Sequence, residues 1–234
     1  MLKKVLSPTF SSNDNFLSSR QKSKYNGAFI APFFFNHLTH THNSMEKIYV
    51  FFAPGFEEIE ALGVIDVCRR AALPVVTVST TGEQSVVSAH NVPIVTDALF
   101  EDLDFSDAAL IFLPGGMPGA TNLYAHKGLR EVIFAQYEAG KPLGAICAAP
   151  LVYGRLGLLK GRKVTCYPGF EGELQGATPT GELIVCDDQF FLGKGPGAAL
   201  RLGYAIVEHF CGKEKANEIC AGMLYPDAIK AGLA

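Results

Sequence analysis

KPLGAICAAP (Lys141–Pro150) contains the end of a predicted strand, a cysteine and the start of a predicted helix. A short apolar run ends at Ile146, Cys147 follows it, and small residues lead into Pro150. Proline suits the first turn of a helix, because the N–H that it lacks would have no partner within the helix there. The sequence therefore predicts a sharp turn from strand to helix with Cys147 at its corner.

Such a corner resembles the nucleophile elbow of α/β enzymes, in which a strained turn lifts a reactive side chain out of the sheet. Unpaired N–H groups and the positive end of the helix dipole favour an anion there. The sequence therefore predicts a lowered pKa for Cys147 and a thiol that is partly ionised near neutral pH. The alternative is a small buried hydrophobic residue, as most free cysteines are. We favour the reactive thiol because of its position at the corner.

Apolar runs of strand length alternate with helical segments on both sides of this corner. The predicted strands cover residues 47–53, 74–79, 86–87, 92–95, 109–113, 142–146, 163–166, 183–186 and 190–192. The predicted helices cover residues 57–72, 122–139, 151–159, 195–211 and 213–223. Short turns and continuously apolar strands indicate right-handed βαβ units around a largely parallel sheet. We therefore predict a doubly wound three-layer α/β sandwich.

The composition favours a soluble globular protein. The chain has 234 residues, of which 48% are hydrophobic, and a formal net charge of −3. This length fits one domain with a substantial core plus a tail. The nearly balanced charge, without a basic stripe, argues against a nucleic-acid partner. No apolar run approaches the roughly 18 residues that cross a bilayer, so we expect no membrane association.

Residues 1–44 differ in kind from the rest of the chain. They are rich in Ser, Asn, Phe and Lys, and Asp14 is their only acid. Met45 stands immediately before the first predicted strand. We predict a disordered or upstream N-terminal extension over 1–44, a functional start at Met45 and an α/β domain over 45–234.

Three histidines of the extension, His37, His40 and His42, have an alternative interpretation as metal ligands. The extension has no cysteine and a single acid, so we interpret these histidines as part of a solvated tail. Few acids together with Lys, Arg and Ser also fit a transit peptide, although no Arg-rich amphipathic helix is evident. We expect a cytoplasmic protein, or an organellar one if the extension is a transit peptide.

The cysteines support a reducing compartment. They are scattered, without a C-x-x-C pair, at Cys68, Cys147, Cys166, Cys186, Cys211 and Cys220. Such spacing matches neither a disulfide framework nor a structural zinc site. We therefore expect free thiols, no metal and no other cofactor.

Three loops with unusual chemistry leave the ends of predicted strands, where ligand sites form in sheets of this kind. Pro54–Glu60 brings three carboxylates, Pro114–Gly119 (PGGMPG) brings glycine amides that can approach a ligand closely, and the third loop brings Cys147. Together they supply a nucleophile, an acid, and an oxyanion hole from the amides of Gly116 and Ala148.

Glu60 is the predicted acid–base group. We interpret Glu57 and Glu58 as residues that complement the helix dipole, whereas Glu60 lies further along and faces back toward the strand end. Burial beside a thiolate would raise the pKa of Glu60. A protonated Glu60 would donate a hydrogen bond to the sulfur of Cys147 and exchange protons with a substrate.

Four motifs give the chain a resemblance to the ThiJ/PfpI superfamily over Lys47–Pro226, in the branch of the parkinsonism-associated protein deglycase and its bacterial chaperone-like homologue. They are APGFEEIEALGVIDVCRRA (Ala53–Ala71), LPGGMPGATNL (Leu113–Leu123), GAICAAP (Gly144–Pro150) and GKGPGAALRLG (Gly193–Gly203). The resemblance implies a flavodoxin-like, class I glutamine amidotransferase-like sandwich with a mainly parallel sheet, and a homodimer.

The resemblance also implies roles for single residues. The low-pKa cysteine of the family would be Cys147 and its protonated glutamate would be Glu60. Its amide cradle falls on the glycines 115–116 and on Ala148.

Departures from the family pattern qualify these roles. Protease-like relatives have His directly after the nucleophile, where this chain has Ala148, so peptidase activity is not expected. Tyr167 replaces a His near the site and is interpreted as a pocket wall. His90 and Arg70 stand where the family has arginines. Both are candidates to bind an anionic product, and the alternative is that both are ordinary surface residues.

Two functions are compatible with this site. The first is a glutathione-independent glyoxalase or deglycase, in which Cys147 adds to methylglyoxal, glyoxal or their adducts. The second is an oxidative-stress sensor or redox-regulated chaperone, in which oxidation of Cys147 is the signal. We favour the enzyme, because a glycine cradle for an oxyanion adds little to a sensor.

Overall fold

The computed structural model describes residues 46–187 and 189–230. Its strands are β1 (Lys47–Phe52), β2 (Val75–Ser79), β3 (Ser85–Val87), β4 (Pro93–Val95), β5 (Ala98–Leu99), β6 (Ala108–Leu113), β7 (Leu143–Ile146), β8 (Lys163–Val164), β9 (Thr178–Pro179), β10 (Ile184–Cys186) and β11 (Phe190–Gly193). Its α-helices are α1 (Glu58–Arg70), α2 (Gly119–Ala125), α3 (Lys127–Glu138), α4 (Pro150–Arg155), α5 (Ala199–Cys211), α6 (Lys213–Gly222) and α7 (Tyr225–Lys230).

β1 shows why the predicted strands are continuously apolar. Tyr49 and Phe51 pack into the core on one face of the sheet, whereas Ile48, Val50 and Phe52 pack into the core on the other. Successive side chains of a strand point to opposite faces, so a strand covered on both sides buries every residue. Side chains of α2, α3 and α4 complete the first core, and those of α1, α5 and α6 complete the second. The predicted three-layer sandwich is confirmed.

The central sheet has seven strands in the order β10-β11-β7-β6-β1-β2-β5. Its neighbours are parallel, apart from the antiparallel pair of β10 and β11. The chain passes from β1 to β2 on one side and later enters β6 on the other side of β1. Loops that leave β1 and β6 therefore diverge, which opens a crevice beyond the carboxyl ends of these strands. The predicted antiparallel excursion is the separate pair β3 and β4.

Several predicted elements differ from the structure. The helix predicted over 151–159 ends at Arg155, and the helix predicted over 195–211 begins at Ala199. The single helix predicted over 122–139 is divided into α2 and α3 at His126, whose extended backbone (ψ 107°) ends the first helix. The Nδ1 atom of His126 then caps α3 by accepting the Leu129 amide at 3.0 Å. The strand predicted over 163–166 is only β8, because Thr165 turns its hydroxyl to the Glu182 carbonyl at 2.7 Å. β5, β9 and α7 were not predicted from the sequence.

The predictions about the N-terminal extension concern residues outside the described part of the chain. They are the tail over 1–44, the start at Met45, the transit peptide, and the tail histidines. Among the residues that the structure does describe, no helix is both long and apolar enough to cross a membrane.

Candidate active site

Cys147 lies directly after β7, in the sharp turn that the sequence predicts. Its φ of 64° is left-handed, a conformation that costs a residue with a Cβ about 1–2 kcal/mol. The Cys147 amide donates to the Gly193 carbonyl at 2.9 Å, and the Cys147 carbonyl accepts the Tyr167 amide at 2.8 Å. Pro150 then begins α4. Because two other segments hold the corner, the cysteine keeps a conformation that it would rarely adopt alone.

Backbone amides surround the thiol. The N–H groups of Gly116 and Ala148 donate to the sulfur of Cys147, which is buried with 8% of its surface exposed. Position 115 admits only glycine, because a Cβ there would lie 2.6 Å from the Cβ of Cys147 and 2.6 Å from Oε2 of Glu60. The glycine loop after β6 therefore brings the backbone into contact with both the thiol and the carboxyl.

Glu60, in the first turn of α1, is completely buried beside this thiol. Its Oε2 accepts the Gly115 amide at 2.8 Å. Its Oε1 is buried without a hydrogen-bond partner among the nitrogen and oxygen atoms of the described residues. The carboxyl thus has one anchored oxygen and one oxygen that is available to the sulfur or to a bound substrate.

The thiol and the carboxyl control each other's ionisation. Burial raises the pKa of Glu60 to about 7, with a further contribution from the charge of Glu57. Burial and then the Glu60 carboxylate raise the pKa of Cys147 to about 12, against the two amide donors. The lowered thiol pKa predicted from the sequence is therefore wrong, because burial, the largest cause, disfavours the thiolate. When one shared proton resides on Glu60, the neighbouring charge disappears and a sulfur anion retains both amides.

Tyr167 lies on the rim of the site and is 47% exposed. Its backbone amide binds the Cys147 carbonyl, and its ring lies against Gly195, where a Cβ would approach it to 3.2 Å. Together with Leu183 and the segment Lys194–Ala198, this ring lines a cavity of about 250 Å³. Neither Cys147 nor Glu60 lines this cavity, so a role of Tyr167 as a wall of the catalytic pocket stays a prediction.

His90 and Arg70 both face carboxylates. His90 is largely exposed, and its Nδ1 lies 3.0 Å from Oε1 of Glu58. The hydrogen bond and the charge of Glu58 raise the pKa of His90. Arg70 is exposed on α1 and pairs with Asp66 at 2.8 Å. Each of the two side chains therefore pairs with a carboxylate of α1: His90 with Glu58 and Arg70 with Asp66.

Glu57, interpreted from the sequence as complementing the helix dipole, also positions the loops of the site. Its side chain is buried, and its Oε2 caps α1 by accepting the Glu60 amide at 2.8 Å. Its own amide donates to the Gly115 carbonyl at 2.9 Å, so it joins α1 to the glycine loop. Glutamate is not among the residues that usually cap helices, so the sequence carries no clear signal for this role.

Comparison with known proteins agrees with this architecture. The family model described as the DJ-1/PfpI family matches residues 46–209. The chain belongs to the DJ-1/PfpI family. Drosophila melanogaster DJ-1beta, a solved DJ-1/PfpI structure, superposes with a TM-score of 0.74 at 29% identity, over 77% of this chain and 98% of that chain.

Three relatives add detail. Protein DJ-1 homolog B of Arabidopsis thaliana is 35% identical over 81% of this chain and 43% of its own length. The chain thus spans less than half of that relative, and 49% of Protein DJ-1 homolog A from the same plant. Glutathione-independent glyoxalase DJR-1.2 of Caenorhabditis elegans is 32% identical over 70% of this chain and 87% of its own length.

Proposed function

We propose that this DJ-1/PfpI protein is a cysteine-dependent, glutathione-independent glyoxalase or deglycase that acts on methylglyoxal, glyoxal or their adducts. One arrangement supports the proposal: the Cys147 sulfur lies between two amide donors and the buried carboxyl of Glu60, whose Oε1 has no other partner among the described residues. The name of the Caenorhabditis elegans relative supports the same class of reaction.

The proposed reaction begins at the sulfur. The Cys147 thiol passes its proton to Glu60 and its sulfur adds to the aldehyde carbon of methylglyoxal. The aldehyde oxygen then takes this proton from Glu60 and becomes the hydroxyl of a hemithioacetal, which leaves Glu60 as a carboxylate. Amides of Gly116 and Ala148 stabilise the negative charge that develops on this oxygen. The same two donors therefore serve first the sulfur and then the substrate.

Glu60 transfers protons in the next step. The carboxylate of Glu60 removes the proton from the former aldehyde carbon through Oε1, which gives an enediolate, and returns it to the adjacent carbon, while the hydroxyl proton moves to the neighbouring oxygen. The product is a thioester of lactate on Cys147. Water cleaves the carbon–sulfur bond of this thioester, releases lactate and regenerates the thiol, so no electron acceptor and no cofactor are needed.

The test is lactate formation from methylglyoxal without glutathione. We expect Cys147→Ser to abolish turnover and Glu60→Gln to reduce it at least about 100-fold, the loss typical of removing an acid–base group. Cys186→Ser, which changes an exposed thiol of the β10 strand, serves as the matched control and should retain activity. Equal activity in wild type, Cys147→Ser and Glu60→Gln would refute the mechanism.

An oxidative-stress sensor, or a chaperone regulated by oxidation, is the second candidate. Peroxide would transfer one oxygen to the Cys147 sulfur to give sulfenate and a second to give sulfinate, with one water released at each step. The amides and a protonated Glu60 would stabilise the added oxygens. Intact-mass analysis after mild peroxide treatment tests this function: oxidation of Cys166 or Cys220 before Cys147 would contradict it.

We also propose that the protein forms a homodimer through α1. Ile59 and Leu62 expose 59% and 41% of their surface on this helix, next to the residues of the site. Light scattering should give the mass of a dimer for the wild type and a lower mass for Leu62→Glu. Phe134→Glu, at an equally exposed position on α3, is the control and should remain dimeric.

A further inference from the structure

Glu57 and Glu60 hold the same residue of the glycine loop through its two backbone polar groups. The amide of Glu57 donates to the Gly115 carbonyl at 2.9 Å, and the Gly115 amide donates to Oε2 of Glu60 at 2.8 Å. The Glu60 amide in turn donates to Oε2 of Glu57 at 2.8 Å. These hydrogen bonds form a closed cycle of three residues. The cycle fixes the Glu60 carboxyl relative to the loop that adjoins the Cys147 sulfur.

The glycine loop passes directly against the start of α1. A Cβ at Gly116 would lie only 2.5 Å from the backbone nitrogen of Glu57, so no larger residue fits there. Glu57 exposes only 7% of its surface, and Glu60 is completely buried. Two glutamate side chains are therefore held close together away from bulk water, where charges interact more strongly than they do at an exposed surface.

The charge of Glu57 influences Glu60 but not Cys147. Burial is the largest cause of the raised pKa of Glu60, and the negative charge of Glu57 adds to it, whereas the Cys147 thiol and the Gly115 amide oppose it. The pKa of Cys147 responds to burial, to Glu60 and to two backbone amides, and Glu57 is not among these groups. Glu57 therefore raises the proton affinity of the carboxyl alone, which brings it closer to the proton affinity of the thiol.

We propose that Glu57 is a positioning residue whose negative charge makes Glu60 a stronger acceptor for the proton of the Cys147 thiol. The hydrogen-bond cycle through Gly115 holds the Glu60 carboxyl where it can receive this proton. The inference rests on the proposed function, in which the transfer accompanies attack on the aldehyde. The proton moves from sulfur to a carboxylate oxygen, so the total charge of the pair is unchanged. A difference of one in pKa changes such an equilibrium tenfold.

Other ionisable groups near the two glutamates determine the controls. Cys147 contacts Glu60 from the turn that follows β7. Glu58 and His90 pair with each other at 3.0 Å, and each has an atom within 4.8 Å of a carboxylate oxygen of Glu57. A protonated His90 offsets part of the negative charge of Glu57. The experiment must therefore distinguish the ionisation of His90 from that of Glu60.

The test is the pH dependence of Cys147 alkylation by iodoacetamide in the full chain, followed by mass spectrometry of the peptide that contains Cys147. The thiol can pass its proton to Glu60 only while Glu60 is a carboxylate. The rate should therefore rise with pH through the pKa of Glu60, about 7 in the wild type. Glu57→Gln keeps an oxygen that can cap α1 but removes the charge. We expect its midpoint to move to lower pH and its plateau rate to fall about tenfold.

Further variants separate charge from shape and assign the titration. Asp and Asn are both usual N-cap residues, so Glu57→Asp should keep the wild-type midpoint and Glu57→Asn should show the shift of Glu57→Gln. Glu60→Gln should abolish the titration, whereas His90→Asn should leave it in place. Glu58→Gln, a matched change beside Glu57, should shift neither midpoint nor plateau, because Glu58 is not among the groups that influence Glu60. A titration that disappeared in His90→Asn would overturn the proposal.

Lactate formation distinguishes this inference from the proposed function. In Glu57→Gln, kcat should fall by about the same factor as the alkylation rate, with KM unchanged, because Glu57 acts on Glu60 and not on the bound substrate. A lower rate with an unchanged pH midpoint would show a structural role only, and would overturn the inference. If the protein formed no lactate but the alkylation midpoint moved as expected, the proposed glyoxalase would be wrong and the influence of Glu57 on Glu60 would stand.

Discussion

Cys147 and Cys166 are both buried cysteines near the same edge of the molecule, yet their surroundings differ. Burial raises the pKa of Cys166 to about 11, with smaller influences from Glu171 and Lys194. Burial and then the Glu60 carboxylate raise the pKa of Cys147 further, to about 12, against two amide donors. The two thiols therefore differ in their donors and in the neighbouring carboxyl, and not in a lower pKa of Cys147. The proposed reactivity of Cys147 depends on these fixed groups.

The largest expected effect comes from Gly115→Ala, which should disturb the surroundings that distinguish Cys147 from Cys166. The added Cβ would lie 2.6 Å from the Cβ of Cys147 and 2.8 Å from the Ile146 carbonyl, so the backbone must move. Because a displacement of about 1 Å can cost 100-fold in rate, we expect lactate formation to fall at least about 100-fold. Gly172→Ala, where nothing lies within 4 Å, is the control and should retain activity.

Glu60→Gln tests whether Glu60 transfers protons to the substrate or only influences the reactivity of the Cys147 thiol. The amide of Gln can still donate a hydrogen bond to the Cys147 sulfur, but it cannot accept and return a proton. We therefore expect iodoacetamide to alkylate Cys147 at a rate within about tenfold of the wild type, although turnover falls at least about 100-fold. Parallel loss of both rates would show that Glu60 acts only on the thiol.

Cys166→Ala is expected to have a smaller effect. Cys166 is 4% exposed and packs in the core on the β8 side of the sheet, so its loss should cost about 1 kcal/mol of unfolding free energy. Turnover of methylglyoxal should change little, because the side chain of Cys166 packs in the core and is not among the groups that influence the sulfur of Cys147. Chemical denaturation and the lactate assay measure the two quantities. A large loss of turnover with normal stability would extend the site to Cys166.

The surroundings of Asp107 lower its pKa, whereas those of Glu60 raise the pKa of that residue. Loss of the Asp107 carboxylate should have the smallest effect of the changes considered. Burial opposes its ionisation, but Lys47 at 2.9 Å and the Tyr49 hydroxyl at 2.8 Å hold the pKa of Asp107 below its ordinary value. Its contribution to stability is therefore present above about pH 4 and is lost as the pH falls through the lower, folded-state pKa. Asp107→Asn should cost at most about 1 kcal/mol at pH 7, because the pair is partly exposed.

Denaturation of Asp107→Asn and the wild type at several pH values checks the sign. The difference in unfolding free energy should shrink as the pH is lowered below about 4, where the wild-type carboxylate becomes protonated as well. A difference that grew on acidification would mean that the pKa of Asp107 is raised, not lowered, in the folded protein.

The sequence alone determined the alternation of strands and helices, because each apolar run such as Lys47–Phe52 has the length of a buried strand and is followed by helix signals. It also determined the corner at Cys147 and the glycine loop, since proline and glycine restrict the backbone locally. It did not predict the break at His126, where a side chain caps the following helix.

Only the tertiary structure decided the properties that depend on residues far apart in the chain. The pKa of Cys147 is set by burial and by Glu60, and the pairing of His90 with Glu58 joins residues from different elements. Local patterns predict backbone conformation, because its causes are local. The charge on a buried group depends on every neighbour that folding brings to it, and those neighbours exist only once the sheet has assembled.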